Sequence, residues 1–352
     1  MHQFQKNYVW KRVSTGIKLE NPSLSNNRHL FSPHAYSANK PTRKYSTIPN
    51  IPCEIPATQL ESKTHPLGWE KIQAQVEPYF GNNWNFASEK EKRGFLAIGF
   101  SRAFSHFFPL TLDCRIETSC KVFYLTLLID DQLEKMSFEQ MHSYRERVMR
   151  IALGAMSPDK HVCLEWMLHD TFQSMRNIDE GLAGDAAQGF CQLLQAQTSQ
   201  ERSSIQTLGS YLKFREIDAG KPFGANLRLN PAELERLSAL ESASFRHMGV
   251  INDIYSWERE WKMHQENPTD GSRPLSAIYI LANETGLPFT ACKRLMYSYC
   301  RELELIIKHT GDELQADSVS KWTPEMDMYF KGLESFMRGN ELWSQWTPRY
   351  RQ

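Results

Sequence analysis

The sequence is short of most features that mark cofactor-binding, nucleic-acid-binding and membrane proteins. Lys plus Arg equals Asp plus Glu, 41 each, so no net field favours a polyanion. Seven cysteines, Cys53, Cys114, Cys120, Cys163, Cys191, Cys292 and Cys300, are scattered and odd in number. No CxxC pair occurs, which argues against a disulfide frame or a thiolate zinc site and predicts reduced thiols in a cytoplasmic protein. The histidines are equally dispersed and form no HExxH. There is no glycine-rich phosphate loop, no internal repeat and no heptad run. No apolar run approaches the ~20 residues of a membrane span. The Val/Ile/Thr alternation of strands is missing as well.

What remains is helical periodicity. Residues 1–63 stand apart: they are rich in Ser, Pro, Asn and basic residues, with only Glu20, Glu54 and Glu61 acidic. That composition predicts a flexible tail. The basic, acid-poor start up to Leu19 also fits an organellar transit peptide loosely. From residue 64 to 352 the pattern predicts one all-α domain, a single bundle with its core walled by several helices. Ser88 caps a stretch running to residue 108, and Ser137 with Gln140 has the spacing of a capping box. Further amphipathic stretches cover roughly 160–178, 185–199, 204–222, 231–264, 274–284, 288–309 and 323–346.

Two acidic elements carry the chemistry. In Asn252-Asp253-Ile254-Tyr255-Ser256-Trp257-Glu258-Arg259-Glu260, the side chains of Asn252, Ser256 and Glu260 are spaced four apart. A helix turns once per ~3.6 residues, so an amide, a hydroxyl and a carboxylate share one face over two turns. An all-oxygen ladder suits a hard cation such as Mg²⁺. The second element, Asp130-Asp131-Gln132-Leu133-Glu134, closes the apolar run from Val122 to Ile129. Carboxylates at the end of an apolar wall are costly to bury unpaired. Each motif alone reads as a solvated helix end. Two such faces, about 120 residues apart and one bearing the ladder, favour a site that holds metal and diphosphate.

At these residues the chain resembles the class I terpene synthases, fungal sesquiterpene cyclases among them. LIDDQLE is similar to their aspartate-rich motif, and NDIYSWERE fits their Asn-Asp-x-x-Ser-x-x-x-Glu motif. The likeness runs from about Pro66 to the C-terminus and includes YFGNNWNF, FPLTLDCRI, FREIDAGK and KGLESFMRGNELW. The resemblance implies a helical bundle with a central active-site cavity, and a cyclase that ionises farnesyl diphosphate with three Mg²⁺ ions and no nucleic-acid partner. It implies Asp130 as ligand to one metal pair, with Asn252, Ser256 and Glu260 holding a third ion. Asp131 and Glu134 would fix nearby basic residues. Arg215, Arg259, Arg349 and Tyr350 would hold the diphosphate, and a guanidinium grips phosphate oxygens with two hydrogen bonds. Trp343 matches a pocket tryptophan that faces the carbocation.

The chain also departs from that pattern. Three pocket aromatics of the fungal cyclases become Phe107, Leu127 and Leu193. Phe123, seven residues before Asp130, restores aromatic surface on the same helical face. After Gly220-Lys221 about seven residues of the family pattern are absent, close to two turns at ~3.6 residues each, which shortens one pocket wall. Alternatives therefore stay open: a helical protein that has lost turnover, a cyclase of geranylgeranyl diphosphate, or a chain-elongating prenyltransferase. The last needs a second aspartate-rich motif, and the ladder stands in its place. The oligomeric state is left open.

Overall fold

In a computed structural model, residues 57–220, 229–318 and 321–351 are described. Twelve α-helices are found among them and no strand: α1 (Trp69–Asn83), α2 (Glu89–Ala97), α3 (Phe100–Phe107), α4 (Asp113–Leu133), α5 (Phe138–Ala152), α6 (Cys163–Ile178), α7 (Glu180–Gln197), α8 (Leu208–Asp218), α9 (Pro231–Glu266), α10 (Ala277–Thr285), α11 (Phe289–Ala316) and α12 (Pro324–Trp346). The all-α expectation holds. Both anticipated caps form: Ser88 accepts from the Glu91 amide, and Ser137 and Gln140 close a reciprocal capping box. Asn230 builds a second such box with Glu233 and starts the 36-residue α9, with Pro231 at its first turn.

One predicted helix divides. The stretch from Ser88 to residue 108 breaks at Gly99, whose φ of 68° is left-handed. A Cβ there would lie 2.7 Å from the Trp346 ring, so the tryptophan reaches a place only glycine leaves open. The apolar run expected to begin near Val122 instead belongs to a helix that starts at Asp113. Its first half is less apolar but is held down by buried Ile116, Thr118 and Cys120.

α9 is the central post. It packs against α12, α11, α8 and α10, and one large apolar core forms around α1, α3, α4, α5, α6, α7, α9 and α12. A smaller core of Tyr211, Val250, Ile254, Trp257, Ile278 and Met296 fills the space between α8, α9, α10 and α11. A buried polar knot ties three helices together: His247 Nε2 lies 3.2 Å from Glu304, and Arg301 donates to both Glu304 and Glu341. Burying these charges is tolerable because each carboxylate meets a cation or a donor.

Residues 1–56 of the expected tail lie outside the described residues. Its last part is in contact with the bundle. Thr58 Oγ1 and the Gln59 amide donate to Glu304 at 2.9 and 3.3 Å, and Leu60 packs on the core.

α12 reaches α3 only because of Gly339. A Cβ at that position would sit 2.7 Å from the His106 carbonyl carbon and from the Phe107 ring. Elsewhere in a helix, Gly→Ala gains up to about 1 kcal/mol. Here the clash reverses the sign: Gly339→Ala is expected to destabilise by about 1–3 kcal/mol, the range for overpacking. Urea unfolding measures it, and a stabilised Gly339→Ala would show that the two helices are not in this contact.

Candidate active site

A cavity of about 620 Å³ runs through the bundle, bounded by α3, α4, α7, α9 and α12. That volume lies within the ~300–1,000 Å³ usual for small-molecule sites. Of the site residues expected from the sequence, Asp130, Asn252, Ser256, Glu260, Arg215, Arg259, Arg349, Tyr350, Phe107, Phe123, Leu127, Leu193 and Trp343 all line it. Asp131 and Glu134 do not.

The last turn of α4 and the ladder of α9 meet at one end. Asp131 accepts from Arg349 at 2.7 Å and from Arg259 at 3.1 Å. Glu134 accepts from both terminal nitrogens of Arg259, at 3.0 and 3.1 Å. Asp130 has no such close cation, its nearest being Arg349 at 3.9 Å, and its side chain is 42% exposed. Desolvation on its protein side raises the Asp130 pKa. Arg349 opposes that rise, while the charges of Asp131 and Glu260 add to it. The influence of Glu260 spans two helices, so the carboxylates of α4 and α9 face a common space. Burial first, and then Asp130, push Glu134 up to about 7.

The ladder is held from both sides. Asn252 Oδ1 accepts from Arg215 at 2.8 Å, and its amide nitrogen donates to the Tyr350 hydroxyl at 2.6 Å. Ser256 Oγ donates back to the Asn252 carbonyl at 2.8 Å, the usual resting bond of a helical serine. Arg215 also pairs with Asp218 and, at 3.2 Å, with Asp253. Asp253 points away from the cavity into the smaller core. There its carboxylate accepts from Tyr211 at 2.5 Å and from the Ala277 amide at 2.8 Å. Burial raises its pKa to about 7, against the pull of Arg215. Tyr350 and Arg349 are placed by a short 3₁₀ turn capped by Thr347, whose hydroxyl also donates to the Ile98 carbonyl at 3.2 Å.

Away from the charged end the walls are apolar and rich in rings. Trp343 donates through Nε1 to the Ile98 carbonyl at 3.1 Å, which fixes the indole plane. Its edge or face meets Phe100 and Tyr350 with centroids 5.4 Å away, and Phe107 at 6.2 Å. Phe123 packs against Phe104 and Phe108. Sequence reasoning missed Phe100, Phe104, Phe108 and Phe336, all of which line the cavity. A signal was present: Phe100, Phe104 and Phe107 lie at helical spacing, and Phe336 is seven residues before Trp343, on the same face. The shortened stretch after Gly220 lies outside the described residues.

The donor set fits a divalent metal. Asp130, Asn252, Ser256 and Glu260 offer only oxygen, from two rigid helices, at one end of one cavity. Asp130, Asp131 and Glu134 also bring carboxylate oxygens within 4.8 Å of one another, a concentration of negative charge that a cation relieves.

The raised carboxyls have a measurable consequence. The folded chain holds the Asp253 proton to about pH 7, whereas a free aspartate releases it near 3.8. Between these values the folded state binds more protons than the unfolded one, so this group's contribution to stability falls as pH rises. Asp253→Asn removes the term. In urea titrations with EDTA from pH 4.5 to 7.5, the variant is expected to lose less stability with rising pH, by up to about 1.4 kcal/mol per pH unit. Parallel slopes for the two proteins would place the Asp253 pKa near its ordinary value.

Comparison with known proteins agrees with the geometry. The family description "Terpene synthase family 2, C-terminal metal binding" matches residues 121–304, from α4 into α11. Aristolochene synthase of Aspergillus terreus is 36% identical over 304 residues, covering 84% of this chain and 94% of the relative. The Penicillium roqueforti aristolochene synthase is 36% identical over 334 residues, covering 92% and 95%. The crystal structure of aristolochene synthase from Penicillium roqueforti superposes with a TM-score of 0.72, over 83% of this chain and 99% of that one. Hedycaryol synthase in complex with nerolidol, 15% identical, shares the fold with a TM-score of 0.65 over 83% of this chain and 100% of that one. A family match across more than half the chain, and relatives aligned almost end to end, establish that the chain belongs to the terpene synthase family and is a terpene synthase/cyclase, a lyase.

Proposed function

We propose that this protein ionises farnesyl diphosphate in a Mg²⁺-dependent step and cyclises the resulting allylic cation to a C15 product, with release of diphosphate. One observation carries the reading: an oxygen-donor set and three arginines meet at one end of an apolar, ring-lined cavity. The aristolochene synthase relatives support the sesquiterpene class. Mg²⁺, when bound by Asp130 and by the Asn252, Ser256 and Glu260 ladder, would supply Lewis-acid charge for the leaving group.

The chain's own residues do the rest. Arg215, Arg259 and Arg349, with the Tyr350 hydroxyl, orient the diphosphate and stabilise the charge it gains as the C–O bond breaks. Asp131 and Glu134 hold Arg259 and Arg349 where they can do so. Arg215 donates to the amide oxygen of Asn252. With a cation on that oxygen, the Arg215 guanidinium would be available to phosphate oxygens. The apolar walls exclude water from the cation. Ring faces stabilise it as it cyclises. Leu127 and Leu193 shape the chain without adding π-density, which argues against aristolochene itself as the product.

Two outcomes test this reading. Purified protein incubated with farnesyl diphosphate and Mg²⁺ should release diphosphate and yield cyclic C15 product by gas chromatography–mass spectrometry, and EDTA should abolish both. Asn252→Leu should lose turnover with unchanged circular dichroism. Activity undiminished by excess EDTA would sink the proposal. The second test concerns Trp343. Cation–π stabilisation is worth ~2 kcal/mol or more when desolvated, and it acts on late, ring-bearing cations. Trp343→Leu should still consume substrate but shift products toward acyclic and monocyclic hydrocarbons, whereas Trp343→Phe should largely keep the native profile. An unchanged product distribution in Trp343→Leu would make this residue a packing element.

A further inference from the structure

One wall of the cavity is a loop, and it is tied down from outside the cavity. Phe108-Pro109-Leu110-Thr111-Leu112 joins α3 to α4, and every one of these residues lines the cavity. Phe108 is where the loop enters the ring wall. Its centroid lies 4.8 Å from Phe104, 5.0 Å from Phe123 and 5.4 Å from Phe336. Packing restrains the loop little, since Leu110 and Leu112 are 44% and 57% exposed. Its inner bond is a turn, from the Thr111 amide to the Phe108 carbonyl at 3.2 Å.

His65 supplies the outer tie. It precedes α1, is 2% exposed, and does not line the cavity. Its backbone amide donates to the carbonyl and the hydroxyl of Ser105 on α3, at 3.0 and 3.1 Å. Its Nδ1 lies 3.1 Å from the Leu67 amide, which can only donate, so Nδ1 accepts and carries no proton. The proton is then on Nε2, which lies 2.7 Å from the Thr111 carbonyl oxygen. The Asp113 carboxylate, 3.8 Å from Nε2, favours the same tautomer. One imidazole thus fastens two backbones, its own turn through Nδ1 and the α3–α4 loop through Nε2. The segment before it is anchored in turn. Ser62 Oγ and the Lys63 carbonyl meet His106 Nδ1 at 3.2 and 3.0 Å, and Thr58 donates to Glu304 at 2.9 Å.

We propose that His65 is a positioning residue for the cyclisation. By holding the Thr111 carbonyl it sets the α3–α4 loop, and through Phe108 it sets the ring wall against which the cation folds. The inference rests on the cyclase reading above and adds a specificity-determining residue that touches neither substrate nor metal. Ionisation is remote from this loop: Leu112 and Asp130 are eighteen residues apart on α4, about 27 Å at 1.5 Å per residue. Ring closure is not remote. It partitions one cation among competing paths, and the wall fixes their relative barriers. Loss of one net hydrogen bond changes a population by about fivefold, and a ratio of rates responds to barrier differences on the same scale.

Two substitutions separate the two ring nitrogens. The amide of His65→Asn reaches about as far as Nδ1, so it keeps the Leu67 contact and ends short of Thr111. The amide nitrogen of His65→Gln takes the place of Nε2 and keeps the bond to the Thr111 carbonyl. The full chain is incubated with farnesyl diphosphate and Mg²⁺, and both diphosphate release and the product profile are followed. His65→Asn is expected to release diphosphate within about threefold of wild type, while the ratio of principal product to earlier-quenched hydrocarbons and alcohols falls at least about fivefold. His65→Gln is expected to keep that ratio within about twofold of wild type. Hydrogen–deuterium exchange reads the loop without turnover. Peptides spanning residues 108–116 should exchange at least about fivefold faster in His65→Asn and near the wild-type rate in His65→Gln, with α9 peptides unchanged in both. Release by wild type, with an unaltered product ratio in His65→Asn, would overturn this inference alone. So would exchange that rises throughout the chain, or a His65→Gln profile no closer to wild type than that of His65→Asn, since either makes His65 a packing residue. No release by wild type would overturn the cyclase reading, and this inference with it.

Discussion

Carboxylate crowding at one end of the bundle is the constraint on which the rest of this structure depends. Asp130, Asp131 and Glu134 close α4, while Asp253 and Glu260 face or back the same space from α9. Asp218 adds a further charge from α8. Left alone, these groups would repel one another or take up protons, because burial in a low dielectric disfavours charge. Three arginines resolve most of the conflict. Arg259 and Arg349 take Asp131 and Glu134, and Arg215 takes Asp218 and Asp253. Asp130 and Glu260 are left facing the cavity, and a cation there completes the charge balance. The same crowding and burial that raise the pKa values of Glu134 and Asp253 would favour a bound cation.

Helix α9 connects this chemistry to the scaffold. One face presents Asn252, Ser256 and Glu260 to the cavity. The opposite faces pack Ile254 and Trp257 into the smaller core and His247 against Glu304. A helix buried on several sides can hold ligand atoms to within a fraction of an ångström, because every shift of the post disturbs packing elsewhere. Asp253 shows the economy of this arrangement. It lies next to a ladder residue, yet its carboxylate holds Tyr211, the start of α10 and Arg215. It holds the arginine and does not line the cavity.

Much of the fold and site is legible along the chain because the relevant signals are local. A ladder at four-residue spacing remains a ladder in any helix, and capping boxes at Ser137 and Asn230 close within three residues. The break at Gly99 was not legible. It depends on Trp346, almost 250 residues away, entering a space that a Cβ would fill. Nor was the ring wall fully legible. Phe100, Phe104 and Phe336 carry the ordinary pattern of core phenylalanines, and only the way α3, α4 and α12 meet decides which rings face a void.

By itself the sequence determined the helical class, the two acidic faces and the cations available to them, since each follows from residue type and spacing along one helix. Tertiary structure alone decided which carboxylate met which arginine. It left Asp130 facing the cavity while Asp131 turned to Arg349 and Arg259. It also decided how far the cavity extends past Phe123 toward Leu112. Pairing and depth are properties of distances between helices, and those distances are set by how side chains from remote segments pack, which no single stretch of sequence specifies.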